Sequence, residues 1–274
     1  MRFVCRLLSI AALVSVVGTS QIASAARTVT QSGPWWVVDS ENFRVCGITD
    51  LKAVEGLSDA CEQKRAELQS KWLGGATAPA WEPRCHVVLH PTADSYIREV
   101  GEGQTAGSSL IEFAGKQLSS RRVDLRADHP QGFEDALAHE LTHVVVADRF
   151  IERQIPRWAD EGMAVLADSK TKQSLHRADL DSARAQRATF RLVELLNLET
   201  YPEPQRQGAF YGQSLSVVEF LVGRGGPETF VKFVERATIT GYDGALKEIY
   251  RFDDLADLEQ EWNRHVVSTQ VAQR

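Results

Sequence analysis

"ALAHELTHVVVAD", residues 136–148, decides how the chain is read. It has the composition of a helix meant for burial, yet His139, Glu140 and His143 stand in its middle. On a helix, positions i and i+4 share one face. His139 and His143 can therefore aim two imidazoles at one point, with Glu140 beside it. Around them Phe133, Leu137, Leu141, Val144 and Val145 recur at three- and four-residue steps, the spacing of an apolar stripe. Val144-Val145-Val146 is a poor run for an isolated helix, because β-branched side chains lose freedom there. The segment predicts a central helix held by tertiary burial, with a polar face left for chemistry.

That chemistry is metal binding. Imidazole is a good zinc ligand, and a catalytic zinc keeps three protein ligands and a water. The metal acidifies the water, and a neighbouring carboxylate can take its proton. This is the physical content of the His-Glu-x-x-His pattern. A third ligand is needed, and "PRWADEGMAVLAD" (156–168) offers Glu161, with 17 residues between it and His143. That gap lets the first helix finish, a short loop turn, and a second helix return antiparallel. Pro156 suits the start of such a helix. Taken alone, Glu161 reads as an ordinary surface glutamate; beside the first motif the ligand reading is preferred. Gly162 and Ala164 are small, so two helices could approach closely beside the metal.

Outward from these motifs, the chain of 274 residues changes character near residue 130. Before it, strands and helices mix. "NFRVCGI" (42–48) and "CHVVLH" (85–90) are short β-rich runs. Residues 51–73 predict a helix, with Leu51, Val54, Leu57, Ala60 or Cys61, Leu68 and Trp72 near one face and Gly74-Gly75 stopping it. A short helix is expected over 93–100. "GSSLIEFAG" and "SSRRVDLRA" predict a hairpin turning near Gly115. After residue 130 almost everything reads as helix, roughly 131–150, 156–168, 174–187, 189–197, 208–223, 227–237, 242–250 and 254–268, punctuated by prolines and glycines. The expected fold is α+β, with a small sheet lobe (35–130) followed by a helical lobe (131–270) in one domain spanning 26–274.

The first 25 residues read separately. Arg2 and Arg6 give a basic start, Leu7 to Val17 is an apolar run of 11 residues, and Ala23-Ser24-Ala25 offers a small-x-small cleavage site. This is the layout of a secretory signal peptide. The run is short of the roughly 20 residues that span a bilayer, so no stable membrane insertion is expected after cleavage, and the product would be secreted or held in the cell envelope. Cleavage removes Arg2 and Arg6 and no acidic residue, so the net charge goes from −6 to −8. With no basic run longer than Arg121-Arg122, nucleic acid is excluded as a partner class. Cys46, Cys61 and Cys85 would remain. An exported chain permits one disulfide among them, Cys61 with Cys85 being the preferred pair and three buried thiols the alternative.

"HELTH" followed by "WADEGMA" resembles the gluzincin zinc metallopeptidases, whose third ligand is a glutamate on the next helix. More narrowly, the chain is similar to the peptidase-MA-like domains of exported bacterial proteins, over roughly 35–265, with weaker likeness at "YGQSLSVVEFLVGRGG" (211–226) and "LEQEWNRHV" (258–266). The resemblance implies a zincin-like fold, a small mixed sheet in the first lobe, and the active-site helix between the lobes. It implies one zinc ion held by His139, His143 and Glu161, Glu140 as general base, and a peptide or protein substrate. Tyr211 opens the segment resembling the family's tyrosine-containing helix, so it is the candidate donor to the oxyanion; Tyr201, in the proline-rich loop, is the lesser candidate. Two departures stand out. Asp160 occupies the place where many gluzincins have asparagine. Val165 occupies the place where thermolysin-like members carry an aspartate that orients a ligand histidine, so Asp160 or another residue must take that role or it is missing. "RRVDLRA" (121–127) is either the edge strand above the zinc, where a peptide could add as a further strand, or an internal strand. The alternative to a peptidase is a non-catalytic envelope protein that keeps the fold and binds a partner.

Overall fold

The computed structural model describes residues 27–75, 78–101, 105–129 and 132–272. The signal-peptide reading of residues 1–25 lies outside them. Six strands form one sheet: β1 (Thr28–Ser32), β2 (Trp35–Asp39), β3 (Phe43–Gly47), β4 (Cys85–His90), β5 (Gly107–Ala114) and β6 (Gln117–Arg126), in the order β1-β2-β3-β4-β6-β5. β3, β4 and β6 run parallel, while β1–β2, β2–β3 and β5–β6 are antiparallel. Parallel neighbours need crossover connections. Helix α1 (Leu51–Leu73) supplies the one from β3 to β4, and α2 (Ala93–Val100) with β5 the one from β4 to β6.

Side chains alternate across a strand. Phe43, Val45, Val87, Leu89, Val123 and Leu125 therefore share one face, buried under Val54, Leu57, Cys61 and Trp72 of α1. Helix α3 (Glu134–Ala147) packs into the same layer through Leu137, Leu141, Val144 and Val145. Val144, Val145 and Val146 have no exposed surface, which is the tertiary burial that their β-branching demands. On the other face α2 lays Tyr96 edge-on against His90, with ring centroids 5.6 Å apart.

The helical part continues as α4 (Arg157–Val165), α5 (Lys170–Ala185), α6 (Leu192–Leu196), α7 (Pro204–Gly225), α8 (Pro227–Thr240), α9 (Tyr242–Ala245), a wide helical turn (Leu246–Tyr250) and α10 (Leu255–Ala272). The core runs unbroken from the sheet into these helices. Among the described residues no helix is long and apolar enough to cross a membrane.

Three expectations need correction, and one open alternative is decided. The sheet begins at Thr28 rather than near 35, because β1 and β2 were not foreseen. Of the two alternatives for segment 121–127 the internal strand holds: β6 lies between β4 and β5, and β5 is the edge strand. Cys46, Cys61 and Cys85 are all free and buried, with no disulfide among them. Burial pushes the Cys85 thiol up to about 12, so it behaves as a small apolar side chain. Finally, the close approach at Gly162 is to α7. An alanine Cβ there would sit 2.7 Å from the Ser214 carbonyl oxygen. Gly162→Ala is expected to cost about 1–3 kcal/mol through overpacking. Urea unfolding of the metal-free protein measures this, and an unchanged midpoint would show that α4 and α7 have slack.

Candidate metal centre

Helix α3 presents His139, Glu140 and His143 on its one half-buried side, and the two imidazole centroids lie 5.1 Å apart. Helix α4 returns from the 148–156 loop and brings Glu161, buried at 4% exposure, to the same point. Glu161 Oε2 lies 3.5 Å from His139 Nε2 and 4.0 Å from His143 Nε2. One ligand atom from each of His139, His143 and Glu161 lies within 4.8 Å of the others. Glu161 Oε2 is buried and accepts no hydrogen bond. A bare carboxylate oxygen in that position is costly unless a cation completes it. Two imidazoles and a carboxylate are also a donor set suited to a divalent metal. The residues present therefore fit a metal ion.

The outer nitrogens of both histidines are tied down. His143 Nδ1 is 2.8 Å from Asp160 Oδ1, and His139 Nδ1 is 3.3 Å from Asp168 Oδ1. With Nδ1–H donated to a carboxylate, each ring turns the Nε2 lone pair toward Glu161. The orienting role that Val165 could not fill is thus shared by Asp160 and Asp168. Asp168 was not anticipated from sequence. Its carboxylate has no exposed surface, and Lys172 Nζ holds its Oδ1 at 3.0 Å.

Without a metal these groups hold one another's charge. Burial works against charged His139, but the carboxylates of Asp168 and Glu161 outweigh it and raise its pKa to about 9. His143 behaves alike, Asp160 overcoming burial and raising it to about 10. Burial opposes the Glu161 carboxylate, while His139 and His143 hold it down to about 2.

Glu140 stands just outside this triangle. Ser109 Oγ, on edge strand β5, donates to Glu140 Oε2 at 2.7 Å. Gly107, also on β5, leaves room for Glu140: a Cβ there would come within 3.2 Å of its Cγ. Tyr201, the lesser tyrosine candidate, donates its phenol to Glu161 Oε1. Tyr211 packs between Phe210 and His176, with ring centroids at 5.3 and 5.6 Å. Burial, then the charges of Glu161 and Glu140, push its pKa up, so its phenol keeps its proton. Both tyrosines therefore stand in the field of Glu161. Ser109 and Tyr201 carry no spacing signal, since their places depend on the hairpin and on the link between α6 and α7; Asp168 stands seven residues after Glu161, just past the end of α4, and that spacing could have pointed to it. Two other histidines stay apart: His90 pairs with Asp124 at 2.7 Å and His86 with Cys46 at 3.3 Å, both on the far face of the sheet.

In comparison with known families, the sequence profile of the Peptidase MA superfamily matches residues 125–268, more than half of the chain. It begins at the end of β6 and includes α3 and α4 with every residue of the His139–His143–Glu161 triangle. No curated protein matches the chain.

Proposed function

The chain belongs to the peptidase MA superfamily, and from that premise we propose that it is an exported zinc-dependent peptidase. His139, His143 and Glu161 would hold one zinc ion, and Glu140 would be the general base. The observation that carries this is Glu161 Oε2, buried, without a hydrogen bond, and facing two imidazoles whose other nitrogens are already bound to carboxylates. Export rests on the basic start, apolar run and small-x-small site of residues 1–25.

Held by His139, His143 and Glu161, a zinc ion would supply Lewis acidity toward a water and the scissile carbonyl. The protein's own groups supply the rest. Ser109 holds Glu140 Oε2, which leaves Oε1 to accept the proton of the attacking water and pass it to the leaving amide nitrogen. Tyr211, whose phenol stays protonated, is the candidate donor to the oxyanion. The outer edge of β5 supports substrate binding in extended form, because a peptide can pair with the backbone there and pass Ser109 and Glu140.

A peptide library incubated with the mature protein tests the reading. Cleavage abolished by chelator and restored by zinc is the expected result. Full metal occupancy with no cleavage of any peptide would overturn it in favour of a fold retained for binding a partner.

A further inference from the structure

The two oxygens of Glu161 are treated differently. Oε1 accepts the phenol of Tyr201, while Oε2 is buried, bonded to nothing, and turned to His139 and His143. Tyr201 lies between α6 and α7 in a stretch outside either helix, and it is itself exposed. Its ring is nonetheless held in place. The Arg157 guanidinium stacks over it at 4.6 Å, and Phe210 meets it edge-on with centroids 6.0 Å apart. Arg157 is in turn fixed by donating to the Glu199 carbonyl at 2.6 Å. Arg157 and Glu161 are four residues apart on α4, so they share a helix face. One helix thus carries both the ligand and the clamp on the tyrosine that touches it.

We propose that Tyr201 is a positioning residue that, by donating to Oε1, restricts Glu161 to a single ligating oxygen, Oε2. The inference rests on the reading of Glu161 as a metal ligand. Its consequence is a count of positions. A carboxylate that chelates through both oxygens takes two places around a metal, and one that binds through Oε2 alone takes one. A catalytic centre needs a place left for water. Tyr201 keeps that place by occupying the second oxygen, and it fixes the direction of the first. Groups that orient ligands in this way typically alter metal affinity 10–100-fold when removed.

The test uses the full mature protein and zinc alone. Tyr201→Phe keeps the ring against Arg157 and Phe210 and removes only the phenolic donor. Competition against a chromophoric chelator should show zinc affinity falling by about tenfold. In a Glu161→Ala background the same substitution should change nothing, because the effect runs through that carboxylate. A second measurement needs no variant: the infrared difference between zinc-loaded and metal-free wild type should show the wide splitting of carboxylate stretches that marks one-oxygen ligation. Unchanged affinity in Tyr201→Phe, an equal loss in the Glu161→Ala background, or a narrow chelate splitting in the wild type would each overturn the proposal. Wild-type protein that takes up no zinc would instead remove the metal reading on which it rests.

Discussion

Replacing Glu140 with glutamine is expected to leave zinc uptake intact and to lower peptide hydrolysis by on the order of 10²–10⁴-fold. The amide has the carboxylate's shape and can still accept from Ser109, so the contact between α3 and β5 should persist. It cannot hold a proton at neutral pH. Glu140 is no part of the His139–His143–Glu161 triangle, so the donor set is untouched. Metal content and kcat/KM measured on one preparation separate the two effects. Hydrolysis at the wild-type rate with full metal would sink the base assignment; loss of metal would show that Glu140 helps to bind it.

His143→Ala should act in the opposite order, on metal first and on activity through it. Binding of structural zinc by four protein ligands is worth about 10–16 kcal/mol, or roughly 3 kcal/mol per ligand. Losing one ligand then weakens affinity by on the order of 10²-fold. The deletion also frees Asp160, whose carboxylate is 25% exposed and so can be solvated rather than stranded. The fold should survive, because the apolar neighbours of His143 on α3 are unchanged. Zinc titration of the folded variant is the measurement. Affinity equal to the wild type would remove His143 from the ligand set.

The elements that sequence rendered well are those whose pattern is local. Helix α1 spans the expected residues 51–73, because apolar residues recur along one face, with Arg65 filling the gap between Cys61 and Leu68, and Gly74 adopts a positive φ that ends it. Strand β4 covers 85–90 as expected, for it is a short apolar run bounded by turn residues. Strands β1 and β2 are not marked in the sequence because TVTQS is exposed throughout and has no apolar face, and WWVVD is an apolar run without alternation. The order of strands was illegible for another reason. β6 carries the charged run Arg121-Arg122, a feature that suits an edge, yet both residues pair within the protein: Arg121 with Asp148 at the end of α3, and Arg122 with Asp124.

The candidate site divides in the same way. His139, Glu140 and His143 were legible because one helical turn sets their relation, and Glu161 because a short loop and a returning helix set its reach. Asp168 is 29 residues from the histidine it holds, and Tyr201 is 40 from the carboxylate it touches. No periodicity spans such intervals. Asp168 lies where the end of α4 puts it, its N–H bonded to the Val165 carbonyl, and Tyr201 where the link between α6 and α7 puts it.

The sequence by itself determined an α+β chain, a helix that must be buried, and three side chains aimed at one point with Glu140 beside them, since helical geometry and hydrophobic spacing act over a few residues. Only the tertiary structure decided which strand forms the edge, which carboxylates orient the two imidazoles, and which oxygen of Glu161 is left bare. Those are matters of distance between groups far apart in the chain, and they are settled by how apolar faces pack rather than by local preference.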